Sequence, residues 1–240
     1  MSGNAASPVA ALQVTGLHAF YGETHILHGI DLTIYPGEVV CLLGRNGAGR
    51  STTLKAILGL VGRRTGSVRI NACETIAMPT ERIARLGVGY CPEERGIFSG
   101  LTTEENLLLP PVVGSGGMSV EEIYAMFPNL WERRKSQGSR LSGGEQQMLA
   151  LARILRTGAS LLLLDEITEG LAPVIVQALG RAIEKLKARG LTLVLVEQNF
   201  RFVEALADRH YVIEHGRVIE TIAKSELNSK AGLLERHLGV

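Results

Sequence analysis

Residues 44–51 read GRNGAGRS. Gly44 and Gly49 let the backbone fold tightly around Arg45, Asn46, Gly47 and Ala48, so successive N–H groups can point at phosphate oxygens. A helix starting at the end of such a loop adds the positive end of its dipole. Ser51 offers a hydroxyl of the kind that ligates Mg²⁺ beside a phosphate, and Thr52 a further donor. A second group, LLLLDE at 161–166, ends an apolar run in Asp165 and Glu166. In an open parallel sheet, ligands gather outside the carboxyl ends of the strands. Asp165 there would hold Mg²⁺, directly or through water, and Glu166 would polarise an attacking water. The chemistry these groups could perform together is hydrolysis of a phosphoanhydride beside Mg²⁺.

Position 50 departs from the phosphate-loop motif, which calls for Lys where this chain has Arg50. Arginine keeps the charge but spreads it over a planar fork. The expectation is that nucleotide binding survives and that hydrolysis is slowed.

A third group, LSGGEQQ, occupies 141–147. Ser142 followed three residues later by Glu145 is a capping box for a helix beginning near Gly144. Met148, Leu149, Ala152 and Leu155 then share one apolar face. A capped helix start carrying Gly143 and Gly144 is also a good anion site.

The elements that must hold these groups follow from hydropathy. Leu12 to Tyr35 predicts short strands ending at the turn Pro36-Gly37. Glu38–Leu43 (EVVCLL) predicts a strand that stops at Gly44, and Leu54, Ile57 and Leu58 predict the helix after the loop. Leu161–Leu164 and Leu191–Val196 are apolar without alternation, which predicts strands covered on both faces in a parallel sheet with flanking helices. Residues from about 95 to 157 predict a mostly helical region. Strand-like pieces surround His215-Gly216, with a final helix expected after them. Residues 1–10 are small and polar, and disorder is expected there.

Composition sets outer limits. The 240 residues are 45% hydrophobic and 20% charged, a globular balance with a net charge of +1. That charge gives no reason to expect nucleic acid as a partner, and Arg133-Arg134-Lys135 is expected to be a solvated face. No apolar run approaches the ~18 residues that cross a bilayer, and the opening residues do not follow the pattern of a signal peptide. Both point to the cytosol. Cys41, Cys73 and Cys91 are widely spaced and are expected to be buried free thiols. The six histidines show no metal-ligand spacing, and Trp131 is expected to pack within the helical region.

The ordered set GRNGAGRS, LSGGEQQ and LLLLDE closely resembles the ATP-binding-cassette (ABC) ATPases, over nearly the whole chain from about residue 12. The resemblance implies an α/β, P-loop NTPase ABC fold, with a mostly parallel core sheet, an N-terminal antiparallel β subdomain and an α-helical subdomain. It implies one nucleotide-binding domain over 11–240, with its helical part about 95–157. It implies ATP and Mg²⁺ as cofactors, and a dimer in which Ser142, Gly143, Gly144 and Glu145 face the γ-phosphate held by the opposite subunit. It also puts Tyr21 where an aromatic ring stacks on adenine, and Glu93 (or Glu94) where a Gln senses Mg²⁺ and the transporter. Gln198 stands where a His contacts the γ-phosphate, Ala172 where an Asp is usual, and Ile167 where Pro follows the glutamate.

PEER…F, FPNLWERR, LSGGEQQMLA, EGLAP and LVEQN together resemble one subfamily. These are the second ATP-binding subunits of importers for branched-chain amino acids and for urea or amides. The implied function is an ATP-hydrolysing importer subunit, peripheral on the cytoplasmic side of the inner membrane. Its partners would be a second ATP-binding subunit (identical or related), integral-membrane permeases and, indirectly, a solute-binding protein. Arg50 and Ile167 depart even from this subfamily. Two alternatives stand beside it: a slow or non-catalytic ATP-binding partner, and a soluble ABC protein of translation or DNA repair. The latter usually carries two cassettes or a long coiled-coil insertion, and neither is present.

Overall fold

The computed structural model describes residues 9–227 together with 229, 230 and 232. The expected disordered segment 1–10, apart from its last two residues, and the expected final helix lie outside the described residues.

Strand β1 (Leu12–Tyr21) and β2 (Thr24–Ile34) open the chain, then β3 (Val39–Leu43) and helix α1 (Arg50–Ile57). There follow β4 (Arg63–Ile70), β5 (Cys73–Glu74), α2 (Thr80–Ala84) and β6 (Val88–Cys91). The helical region holds α3 (Thr103–Leu108), α4 (Val120–Met126), α5 (Pro128–Glu132) and α6 (Gly143–Arg156). Then come β7 (Leu161–Asp165), α7 (Pro173–Ala188), β8 (Thr192–Val196), α8 (Phe200–Leu206), β9 (Arg209–Glu214) and β10 (Arg217–Ala223).

The strands form two sheets. One is antiparallel, in the order β2-β1-β4-β5. The other runs β10-β9-β3-β8-β7-β6 and is parallel except for the β9–β10 hairpin at its edge. The expected mostly parallel core and the separate antiparallel sheet are both present. The first strands are longer than expected, 10 and 11 residues. Register shifts within the β1–β2 pairing break the polar–apolar alternation that would have made their length readable.

The parallel sheet explains its own sequence. Along β3, Val39, Cys41 and Leu43 enter one core cluster while Val40 and Leu42 enter another. Strand β7 divides the same way, with Leu162 and Leu164 on one face and Leu161 and Leu163 on the other. The first cluster also holds the apolar faces of α6 and α7, and the second lies against α1 and the antiparallel sheet. Both faces are covered, so both sets of side chains must be apolar.

In the helical region three N-termini use one device. Thr102–Glu105, Ser119–Glu122 and Ser142–Glu145 each form a reciprocal capping box. Trp131 is half exposed, meeting Tyr124 edge-on while the Arg134 guanidinium covers its ring. Cys41 and Cys91 are buried as expected, but Cys73 is exposed, because its two-residue strand forms the edge of the antiparallel sheet.

Candidate functional site

Strands β3, β7 and β8 run parallel and end together, with Leu42 beside Val196 and Asp165 beside Val196. The residues just past each strand therefore meet: the loop from Gly44, then Glu166, then Glu197 and Gln198. Gly44 has a φ of 153°, and a Cβ there would lie 2.2 Å from the Ile213 carbonyl oxygen, so only glycine lets the loop leave β3 flush against β9. A cavity of about 400 Å³ opens at this edge, lined by Ile26, Asn46, Gly47, Gly49, Arg50, Ser51, Thr52, Glu93, Glu166, Glu169 and Gln198.

Arg50 is the first residue of α1 and is buried. Three hydrogen bonds hold its fork. Nη1 donates to the Glu197 carbonyl (3.0 Å), and Nη2 donates to Asn46 Oδ1 (3.1 Å) and Glu166 Oε1 (2.9 Å). The other Glu166 oxygen accepts from Gln198 Nε2 at 2.9 Å. Both oxygens of Glu166 are thus held by side chains that also line the cavity. Glu166 has a φ of 47°, a left-handed conformation that costs an L-residue on the order of 1–2 kcal/mol.

Next to it, Asp165 accepts from the Ser51 hydroxyl (2.8 Å) and the Tyr90 hydroxyl (3.2 Å). Burial raises the Asp165 carboxyl above its ordinary range, and the two hydroxyl bonds oppose that shift. Burial also raises Tyr90, with Asp165 adding to the effect, so its phenol stays protonated as the donor.

The acids crowd one another. Carboxylate oxygens of Glu93, Glu166 and Glu169 lie within 4.8 Å of one another. The Glu169 carboxyl is raised, first by its hydrogen bond with Glu166 and then by that group's charge. Glu93 is raised by desolvation and then by Glu166, Glu94 and Asp165. Behind them Glu197 is almost wholly buried. Its two oxygens accept from the Thr168 N–H (3.0 Å) and the Thr168 hydroxyl (2.7 Å). Burial pushes the Glu197 carboxyl up to about 7, with the Thr168 bonds pulling the other way.

Of the residues singled out from sequence, Asn46, Gly47, Gly49, Arg50, Ser51, Thr52, Glu93, Glu166 and Gln198 share this cavity, and Asp165 lies beneath it, bonded to Ser51. Gly44 and the buried Ala48 shape the loop from behind, and Arg45 is exposed on it. Glu93 lines the cavity and Glu94 does not. Tyr21 ends β1, half exposed, and is not part of the lining. Nor are Ser142, Gly143, Gly144 and Glu145, which start α6. Ser142 and Glu145 cap that helix, with Glu145 also 3.4 Å from Arg133. A Cβ on Gly144 would lie 2.8 Å from Ile175, so glycine there lets α7 pack close. Sequence reasoning passed over Glu169, Glu197, Thr168 and Tyr90. Glu169 had a signal, its place three residues after Glu166, but the partners of the others are distant along the chain.

Residues 27–169 match the family described as ABC transporter. The chain is 38% identical over 223 residues to the high-affinity branched-chain amino acid transport ATP-binding protein BraG of Pseudomonas aeruginosa, covering 92% of this chain and 96% of that one. It is 31% identical over 237 residues to the lipopolysaccharide export system ATP-binding protein LptB of Escherichia coli K12, covering 96% and 98%. A dimeric structure of a bacterial ABC transporter cassette superposes with a TM-score of 0.79 at 25% identity, covering 89% of this chain and 98% of that one.

Glu197 gives this site a pH signature. Its carboxyl is raised from the ordinary 4.5 to about 7 in the folded chain. Between those values the unfolded chain loses the proton first, so stability falls as pH rises and levels off above about 7. The groups facing it are Thr168, Glu166, Arg50 and the buried Cys41 thiol. Replacing Glu197 with Gln should remove roughly 2 kcal/mol of the stability difference between about pH 5.5 and pH 8. Urea denaturation of both proteins at the two pH values measures it, and equal slopes would place the titration elsewhere.

Proposed function

The chain belongs to the ABC transporter family, as an ATP-binding cassette whose ATPase activity is coupled to transport; we propose that it is the ATP-hydrolysing subunit of an importer for branched-chain amino acids or a similar small solute. One observation carries the reading of the site: the phosphate loop, the Ser51–Asp165 pair and Glu166 line or underlie a single cavity at the sheet's carboxyl edge. The oxygen donors suit Mg²⁺, a hard cation. Ser51 and Asp165 would hold it, and when bound it neutralises charge on the phosphates. The N–H groups of the loop and of the first turn of α1 would receive the β- and γ-phosphates. Glu166 would accept the proton of a water attacking the γ-phosphorus, and Gln198 would orient Glu166 and that phosphate. Tyr21 would stack on the base.

Ser142–Glu145 stand outside the cavity of their own chain. Their capped helix start suits a phosphate presented by a second cassette, and a relative that superposes on this chain is dimeric. We therefore propose a dimer, with an identical or a related subunit, that closes on two ATP molecules against membrane permeases. Among the described residues no helix is long and apolar enough to cross a membrane, so attachment would come through those partners. The solute rests on the likeness to BraG, which is stronger than the likeness to the export protein LptB.

One observation favours a second reading, that of a slow ATP-binding partner. Arg50 is paired with Glu166 at 2.9 Å, so one oxygen of that carboxylate is already engaged and must be released before it can take part.

Three outcomes test these proposals. Glu166→Gln should keep ATP binding and lower the hydrolysis rate on the order of 10²–10³-fold. It should also give an ATP-dependent dimer in size-exclusion chromatography; an unchanged rate in the competent assembly would remove Glu166 from the chemistry. Arg50→Lys replaces the planar fork with a shorter stem and one compact ammonium, which loosens the hold on Asn46, Glu197 and Glu166. Its kcat should rise about 10-fold, equivalent to ~1.4 kcal/mol of barrier, with ATP affinity nearly constant. A fall in kcat would mean that the arginine fork assists the reaction. Finally, proteoliposomes holding the co-purified permeases should take up leucine only with ATP inside and a solute-binding protein outside. Uptake of urea or an amide instead would reassign the solute.

A further inference from the structure

Glu166 keeps a left-handed backbone at φ 47° without being glycine. Something must hold it there. The next residue is Ile167, not a proline that would fix its own φ and restrict the residue before it. The conformation therefore depends on non-covalent ties around the loop. On the near side, the Glu166 N–H donates to the Val196 carbonyl at 2.8 Å. On the far side, the Glu169 N–H reaches the Glu166 carbonyl only at 3.3 Å. The stronger far-side tie is at Thr168, whose N–H and hydroxyl both donate to the Glu197 carboxylate, at 3.0 and 2.7 Å.

Glu197 is placed to do this. It follows β8 directly, beside β7, so its position is set by the sheet and not by the loop it grips. It is 2% exposed, which leaves no water to compete for its oxygens. Its main-chain carbonyl accepts from Arg50, and the next side chain, Gln198, donates to Glu166. One residue thus joins the phosphate loop, the end of β8 and the loop after Glu166.

We infer that Glu197 is a positioning residue: by bracketing Thr168 it fixes the backbone of Glu166 and aims that carboxylate into the cavity. The inference rests on the reading of Glu166 as the residue that activates water.

The test uses the full chain with the membrane subunits that co-purify. Glu197→Ala removes both bonds, and Thr168→Val removes only the hydroxyl bond. Glu197→Gln can still accept from the Thr168 N–H and donate to its hydroxyl. Loosening a positioned group by a fraction of an ångström to an ångström costs up to about 10²-fold in rate. Glu197→Ala should therefore lower kcat about 10- to 100-fold, and Thr168→Val about 10-fold, while the Kd for ATP stays within about threefold of wild type. Glu197→Gln should recover most of the rate.

The decisive comparison is made in the Glu166→Gln background. With no carboxylate left to aim, Thr168→Val and Glu197→Ala should cause no further fall in rate. A role confined to holding the fold together would instead lower the rate by similar factors in both backgrounds, and that result would overturn the inference. If Glu197→Ala fails to fold, Thr168→Val carries the comparison by itself. Wild-type kcat in Thr168→Val, with Glu166→Gln inactive, would overturn this inference alone. Wild-type kcat in Glu166→Gln would overturn the reading of Glu166, and the inference with it.

Discussion

The site depends on a constraint of register. Strands β3, β7 and β8 are parallel and buried on both faces, and their pairing fixes Leu42 and Asp165 beside Val196. A slip by one residue would turn every side chain of a strand to the opposite face. Here the two faces meet different core clusters, one packed with α6 and α7 and the other with α1 and the antiparallel sheet. The leucines of β7 would suit either face, so its register is marked by where the apolar run ends, at Asp165. The polar residues that follow the strands inherit that precision. Gly44, Glu166 and Glu197 are far apart in sequence and adjacent in space because each comes at the end of a locked strand.

At this edge a buried ion pair closes a dense polar network. Burying a guanidinium and a carboxylate is costly unless their remaining donors and acceptors find partners. Arg50 meets that requirement through Asn46 and the Glu197 carbonyl, and Glu166 meets it through Gln198. The arrangement also balances charge. Glu93, Glu166 and Glu169 bring three carboxyl groups within 4.8 Å, and Arg50 is paired directly with one of them. A triphosphate bound here, as proposed, would add more negative charge to this place and compete with Glu166 for the same guanidinium, which would couple binding to a rearrangement at Glu166.

Much of this was legible in the chain, and the part that was not has a common cause. The glycine loop could be read because it lies in eight consecutive residues between an apolar strand and a helix. The capping box at Ser142 and Glu145 could be read because both partners lie within one helical turn. Unbroken apolar runs gave the parallel strands, since burial on both faces leaves its mark on every residue. The Thr168–Glu197 bracket spans 29 positions and the Tyr90–Asp165 bond spans 75, and no local pattern announces either. The lengths of β1 and β2 were hidden for another reason: irregular pairing shifts the face to which each side chain points. Arg50 was visible as an oddity, but its pairing with Glu166 required the fold to bring α1 and β7 together.

The three cysteines differ in a way that has an experimental use. Cys41 and Cys91 are sealed in the core, where burial raises both thiols, Cys91 to about 12, so neither forms the reactive thiolate at neutral pH. Cys73 stands exposed on the edge strand β5. The native chain therefore offers a single attachment point for a maleimide dye or a nitroxide, with no cysteine needing removal. Two copies labelled there would report the distance between their antiparallel sheets, and the opening and closing of an assembly could be followed in the unmutated sequence.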